Sequence, residues 1–169
     1  MKVAILFLTG FFLTCHTGVT DMRIVLLNGE DKPLSIYDGK KIMIVTIPVT
    51  MTAQDSLFIK SLSDLSIGFK DQLAIIAVPS YEDGYQDNSL DQLAEWYNHI
   101  ADSTLVITRG MYIRKASGEM QYELFSWLTH KEQNEHFDED AAGTGEKFFI
   151  NEQGVLFGRA GPETGINET

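Results

Sequence analysis

Three clusters and one isolated thiol carry the side chains able to do chemistry. Glu82 and Asp83 stand side by side in Tyr81-Glu82-Asp83-Gly84-Tyr85-Gln86-Asp87. Adjacent carboxylates divide acid and base roles when one of them is desolvated; otherwise such a run is an acidic, exposed turn. The run follows the apolar segment Leu73–Val78, and the C-terminal edge of such strands is where α/β sheets place ligands. His130, His136, Asp138, Glu139 and Asp140 gather within eleven residues. A metal site needs three or four ligands converging with satisfied outer partners. Beside a helix end this polar run reads as solvated surface, and no metal is expected. Arg109, Arg114 and Lys115 lie around Met111-Tyr112, with the chain's own acids as ready partners. The thiol is Cys15, the one cysteine. No phosphate-binding glycine loop, Gly-x-Ser-x-Gly elbow or His-Glu-x-x-His occurs, so nothing points to a nucleotide or serine-hydrolase mechanism.

These groups sit in 169 residues, 44% hydrophobic, with 13 basic against 24 acidic residues and a net charge of −11. One domain with a substantial core fits that length. The acidic balance argues against nucleic acid, whose phosphates need clustered Lys and Arg, and against an anionic membrane surface. A lone cysteine excludes an intramolecular disulfide and a cysteine-rich metal cage. Met1-Lys2 precedes an apolar run, Val3 to Leu13, interrupted by Thr9 and Gly10. A bilayer span needs ~20 residues, so the run reads as a secretory signal over residues 1–18 rather than a buried first strand. Cys15 at its end is either a lipid attachment point of the bacterial lipoprotein kind or lost by cleavage near Gly18. Either way the protein is expected in the periplasm or bacterial envelope, touching a membrane only through a lipid anchor.

Residues 20–163 read as one domain, with a flexible tail at 164–169. Strands are expected over 22–27 and 33–37 about the Asn28-Gly29 turn, and over 41–49, whose near-continuous apolar run marks a central strand. Thr52 with Asp55 opens a helix carrying Leu57, Leu62, Leu65 and Phe69. A strand over 73–78, a helix over 89–100, a strand over 104–107 and a helix over 121–133 follow. Strands over 147–150 and 155–158 flank Asn151-Glu152-Gln153-Gly154. The order β-β-β-α-β-α-β-α-β-β predicts an α/β sandwich with a central mixed sheet, flanking helices and an N-terminal hairpin, compatible with a thioredoxin-like fold.

Ordered segments over about residues 24–163 resemble the glutathione peroxidase family. They are Leu26-Leu27-Asn28-Gly29 with Leu34-Ser35-Ile36-Tyr37, Ile44-Val45-Thr46-Ile47, Ile75-Ile76-Ala77-Val78-Pro79-Ser80, Leu124-Phe125-Ser126-Trp127-Leu128-Thr129, and Glu146-Lys147-Phe148-Phe149-Ile150-Asn151-Glu152-Gln153-Gly154. Active members of that family reduce peroxides with a cysteine or selenocysteine just before the first long helix. The resemblance puts Met51 at that position, Glu82 at or beside the family's glutamine, and Gly143 and Thr144 at its tryptophan and asparagine. It makes Arg109 and Arg114 the residues for an anionic ligand, and it implies a truncated C-terminal helix that leaves one sheet face open to a partner or to self-association. A thioether has no ionisable proton, and residues 16–169 contain no cysteine. The expectation is an exported relative of the peroxidases without thiol catalysis or cofactor, acting as a binding or scaffold module for an unknown protein or small molecule. The alternative is an enzyme with peroxidase or other redox-related activity at a non-thiol site near Glu82 and Asp83.

Overall fold

The computed structural model describes residues 18–166; residues 1–17 of the expected signal, Cys15 among them, lie outside the described residues. β1 (Arg23–Val25) and β2 (Asp31–Pro33) form a short antiparallel hairpin. The main sheet contains β3 (Lys41–Ile47), β4 (Leu73–Pro79), β5 (Leu105–Ile107), β6 (Lys147–Ile150) and β7 (Leu156–Ala160), in the spatial order β5-β4-β3-β6-β7. β3, β4 and β5 run parallel, whereas β6 and β7 are antiparallel additions. The connections of the parallel half carry α1 (Ala53–Phe69) and α2 (Leu90–Ile100); α3 (Glu123–Thr129) and α4 (Lys131–Asn134) follow β5.

Side chains alternate across the sheet, so each central strand feeds two cores. Met43, Val45 and Ile47 of β3 and Ile75 and Ala77 of β4 meet Ile59 and Leu62 of α1 and Leu93 and Tyr97 of α2. Ile42, Ile44, Ile76 and Val78 face the other way, onto Leu124, Phe125 and Leu128 of α3 and onto Met22, Ile24 and Leu34. This two-sided burial is why residues 41–47 and 73–78 read as unbroken apolar runs.

Two expected elements differ. The strand over 33–37 is instead the end of β2 followed by a single 3-10 turn, Leu34–Tyr37. Only Leu34 is buried there while Ser35 and Ile36 are exposed, so the segment has no alternating face to lay on a sheet. The helix over 121–133 is broken at His130, whose backbone is extended and whose Nδ1 lies 2.9 Å from the Ser126 carbonyl. The closing hairpin forms as read: Asn151 Oδ1 accepts the Gln153 and Val155 amides at 3.0 and 2.9 Å. Within the expected flexible tail, Thr164 accepts a hydrogen bond from Lys147 Nζ at 2.7 Å, and Ile166 packs against the α1-side core. Residues 167–169 lie outside the described residues.

Candidate functional site

β3 leaves the sheet at Ile47-Pro48-Val49, and α1 begins a few residues later. The Tyr97 hydroxyl donates to the Pro48 carbonyl at 2.7 Å, pinning this exit from α2. Burial pushes the Tyr97 phenol well above its ordinary value, so it stays a donor. Thr52 caps α1: its Oγ1 accepts the Asp55 amide at 3.1 Å, and Asp55 Oδ2 accepts the Thr52 amide at 3.0 Å. Thr50 donates to the same carboxylate oxygen. Desolvation raises the Asp55 carboxyl, but the hydrogen bonds from Thr50 and Thr52 outweigh it and hold the group below its ordinary value. The positive end of α1 is thus neutralised by a carboxylate of its own first turn.

Met51 sits immediately before this cap with φ +55°, one of two non-glycine residues in the left-handed region among the described residues. Its half-buried side chain packs against the α1-side core. At the position where the resembled family carries its nucleophile, the structure has a packed thioether on a strained backbone.

Two of the three remaining positions implied by the resemblance, Gly143 and Thr144, come together around Asp83. Thr144 Oγ1 donates to Asp83 Oδ2 at 3.1 Å, and Arg114 Nη2 donates to Oδ1 at 3.0 Å. Gly143 has φ +117°, and a Cβ there would lie 3.1 Å from Asp83 Oδ2 and 3.2 Å from Arg114 Nη2. A side chain at 143 would press on that ion pair and sit on a backbone that L residues rarely adopt. The loop 143–146 is stitched to β3 by Thr46, which accepts the Glu146 amide at 3.0 Å and donates to the Gly143 carbonyl.

Glu82 is held differently. Its carboxylate accepts the Ile113 and Arg114 amides at 3.0 Å, the Ser117 hydroxyl at 2.7 Å and the Ser80 hydroxyl at 3.0 Å. Burial alone raises its carboxyl, but the Arg114 amide, the Ser117 hydroxyl and the Ile113 amide together hold it below the ordinary value. A carboxylate in a cage of four donors is an anchor for the 113–117 segment and a poor proton acceptor near neutrality. The sequence shows Glu82, but three of its four donors come from more than thirty residues away and leave no local signal.

Arg109 and Arg114 do not converge. Arg114 pairs with Asp83, whereas Arg109 borders a separate cavity of about 350 Å³ with Tyr81, Asp87 and Tyr122. Tyr81 stacks on Tyr112 with ring centroids 4.6 Å apart and donates to Asp87 at 2.9 Å. Desolvation, then the Asp87 carboxylate, pushes the Tyr81 phenol up to about 12. The histidine–carboxylate run is spent on backbone and ion pairs. Asp138 binds Lys115, Asp140 Oδ1 accepts the Lys115 amide, and Glu139 pairs with Arg159 at 3.0 Å. Among the described residues, no three histidine, cysteine, aspartate or glutamate side chains gather to hold a metal ion.

Sequence reasoning passed over a second buried group. Glu146 lies at 0% side-chain exposure against Arg159. Lys147 is 1% exposed and donates to the Gly145 and Thr164 carbonyls at 2.8 and 2.7 Å. The one signal was a lysine opening an otherwise apolar strand, Lys147-Phe148-Phe149-Ile150.

No protein-family model and no curated protein matches the chain. Solved structures do. The apo form of Trgpx is 16% identical with a TM-score of 0.65 and 90% of each chain covered. T. cruzi GPX1 is 12% identical with a TM-score of 0.60, over 90% of this chain and 91% of that one. The Xanthomonas campestris bacterioferritin comigratory protein, described for alkyl peroxide reduction, is 14% identical with a TM-score of 0.53, over 85% and 82% of the two chains. What the likeness shows is the thioredoxin-like fold, built in this chain on a mixed five-stranded sheet.

Proposed function

We propose that this chain is a thioredoxin-fold relative of the glutathione peroxidases that has given up thiol chemistry and acts as a binding or scaffold module, exported to the bacterial envelope by its apolar front end. The observation that carries the reading is residue 51. Peroxide reduction of this kind needs a thiolate sulfur to attack one peroxide oxygen: the S–O bond forms, the O–O bond breaks, and the sulfenic acid left behind is reduced by a second thiol. Met51 has no thiol proton to lose, its sulfoxide needs a dedicated reductase, and residues 16–169 supply no other cysteine. The caged Glu82 and the paired Asp83 weigh against the alternative of a carboxylate acid–base centre.

The purified protein should consume no hydrogen peroxide or organic hydroperoxide above a protein-free control, with glutathione or thioredoxin as reductant. Turnover that survives Met51→Leu would overturn the proposal.

A further inference from the structure

The α1 face of the sheet is covered unevenly. α1 lies against β4 and β5, while over β6 and β7 the same face meets, among the described residues, the segment around Ile166. The space left is a groove of about 370 Å³ along the C-terminal half of α1, bounded by Leu65, Phe69, Met43, Phe149 and Phe157. That volume falls in the ~300–1,000 Å³ range of small-molecule sites. Phe69 is 50% and Phe157 53% exposed, and the Phe149 and Phe157 rings stand 6.2 Å apart along one wall.

Among the described residues, one charged residue borders the groove, Lys41, at the start of β3. It is exposed and enters none of the ion pairs among the described residues. In a chain with 24 acids against 13 bases, a lysine left unpaired at the rim of an apolar groove is the charge complement of an anion lying on apolar surface.

We propose that this groove binds a single-chain amphiphile with a carboxylate head, the hydrocarbon lying across Phe69, Phe149 and Phe157 and the head meeting Lys41. A second copy of the chain is the poorer occupant, because a net charge of −11 on each partner opposes close approach. The site is separate from Met51 and stands whether or not peroxide is consumed.

The test is calorimetric titration of the purified full chain with dodecanoate, kept below its micelle-forming concentration. One equivalent should bind saturably, and dodecyltrimethylammonium should bind more weakly. Lys41→Ala should weaken dodecanoate roughly threefold, the scale of an exposed ion pair, and leave dodecanol unchanged. Phe157→Ala should weaken both ligands about tenfold through lost apolar contact. Phe69→Ala provides the same readout from α1 if the first variant unfolds. A photoactivatable dodecanoate should label peptides from residues 65–73 and 149–157. Labelling confined to residues 1–17, affinity indifferent to both phenylalanine variants, or a dimer that Phe157→Ala dissociates would each overturn the proposal.

Discussion

Met51 and Glu82 determine what a single substitution can restore. A cysteine at 51 would precede a helix whose N-cap amide, that of Thr52, is already taken by the Asp55 carboxylate, while Thr52 Oγ1 takes the Asp55 amide. The usual reason for a depressed thiol pKa at a helix N-terminus is therefore cancelled by a nearby negative charge. The Met51→Cys thiol should titrate near or above the ordinary ~8.5, read by thiolate absorbance, and Met51→Cys/Asp55→Asn should titrate lower. A thiolate well below the ordinary range in the single variant would contradict the cap argument. Glu82→Gln swaps one acceptor oxygen for an NH₂ facing a cage of donors. It should destabilise the protein by about 2 kcal/mol at pH 7. The folded carboxyl is held below its ordinary 4.5, so its stabilisation is present above 4.5 and lost as pH falls through the folded value. Urea midpoints measured downward from pH 7 should fall less steeply in Glu82→Gln than in the wild type.

Among the elements, the segment after β5 shows how tightly neighbouring pieces are fitted. The Arg109 amide donates to Val25 at 2.9 Å and the Met111 amide to Pro79 at 3.0 Å, tying the first hairpin to the end of β4. Gly110 lets that segment cross the buried Tyr85 ring: a Cβ there would lie 2.1 Å from Tyr85 Cδ1. Gly110→Ala should cost about 3 kcal/mol through overpacking, measured by thermal unfolding. Most elements were legible because their signals are local: the Thr52–Asp55 cap, the two-sided apolar runs of β3 and β4, and the Asn151 turn. What escaped was set by tertiary partners. The break at His130 depends on a ring nitrogen meeting the Ser126 carbonyl, and the Leu34–Tyr37 turn depends on a single buried leucine. The cluster around Asp83 was read position by position from a family resemblance. The ion pair that fills it, between Arg114 and Asp83, follows from the expectation that the arginines pair with the chain's own acids, but which acid Arg114 meets is set by tertiary packing.

At the scale of the whole molecule, the parallel half of the sheet is covered on both faces and the β6–β7 half is thinly covered on one. The buried Lys147 belongs to this second half. Desolvation holds its ammonium below the ordinary 10.5. The folded state therefore loses stability as pH falls through that depressed value and regains it as pH rises toward 10.5. Wild type should gain stability relative to Lys147→Met over that interval in chemical denaturation. Amides of residues 161–166 should also exchange faster in the variant, because the Gly145 and Thr164 carbonyls lose their donor. Parallel free-energy curves for the two proteins would mean that the ammonium is solvated. The strap at 161–166 is thus gripped by its main chain: Lys147 takes the Thr164 carbonyl, and the Thr164 amide donates to Gly161. A segment recognised through its peptide groups is indifferent to most of its own lettering. Thr164 is free to drift in sequence while Lys147 stays fixed and Glu163, whose carboxylate favours that ammonium, is kept acidic, so comparing homologues would find a constant lysine beneath a strap that varies at 164.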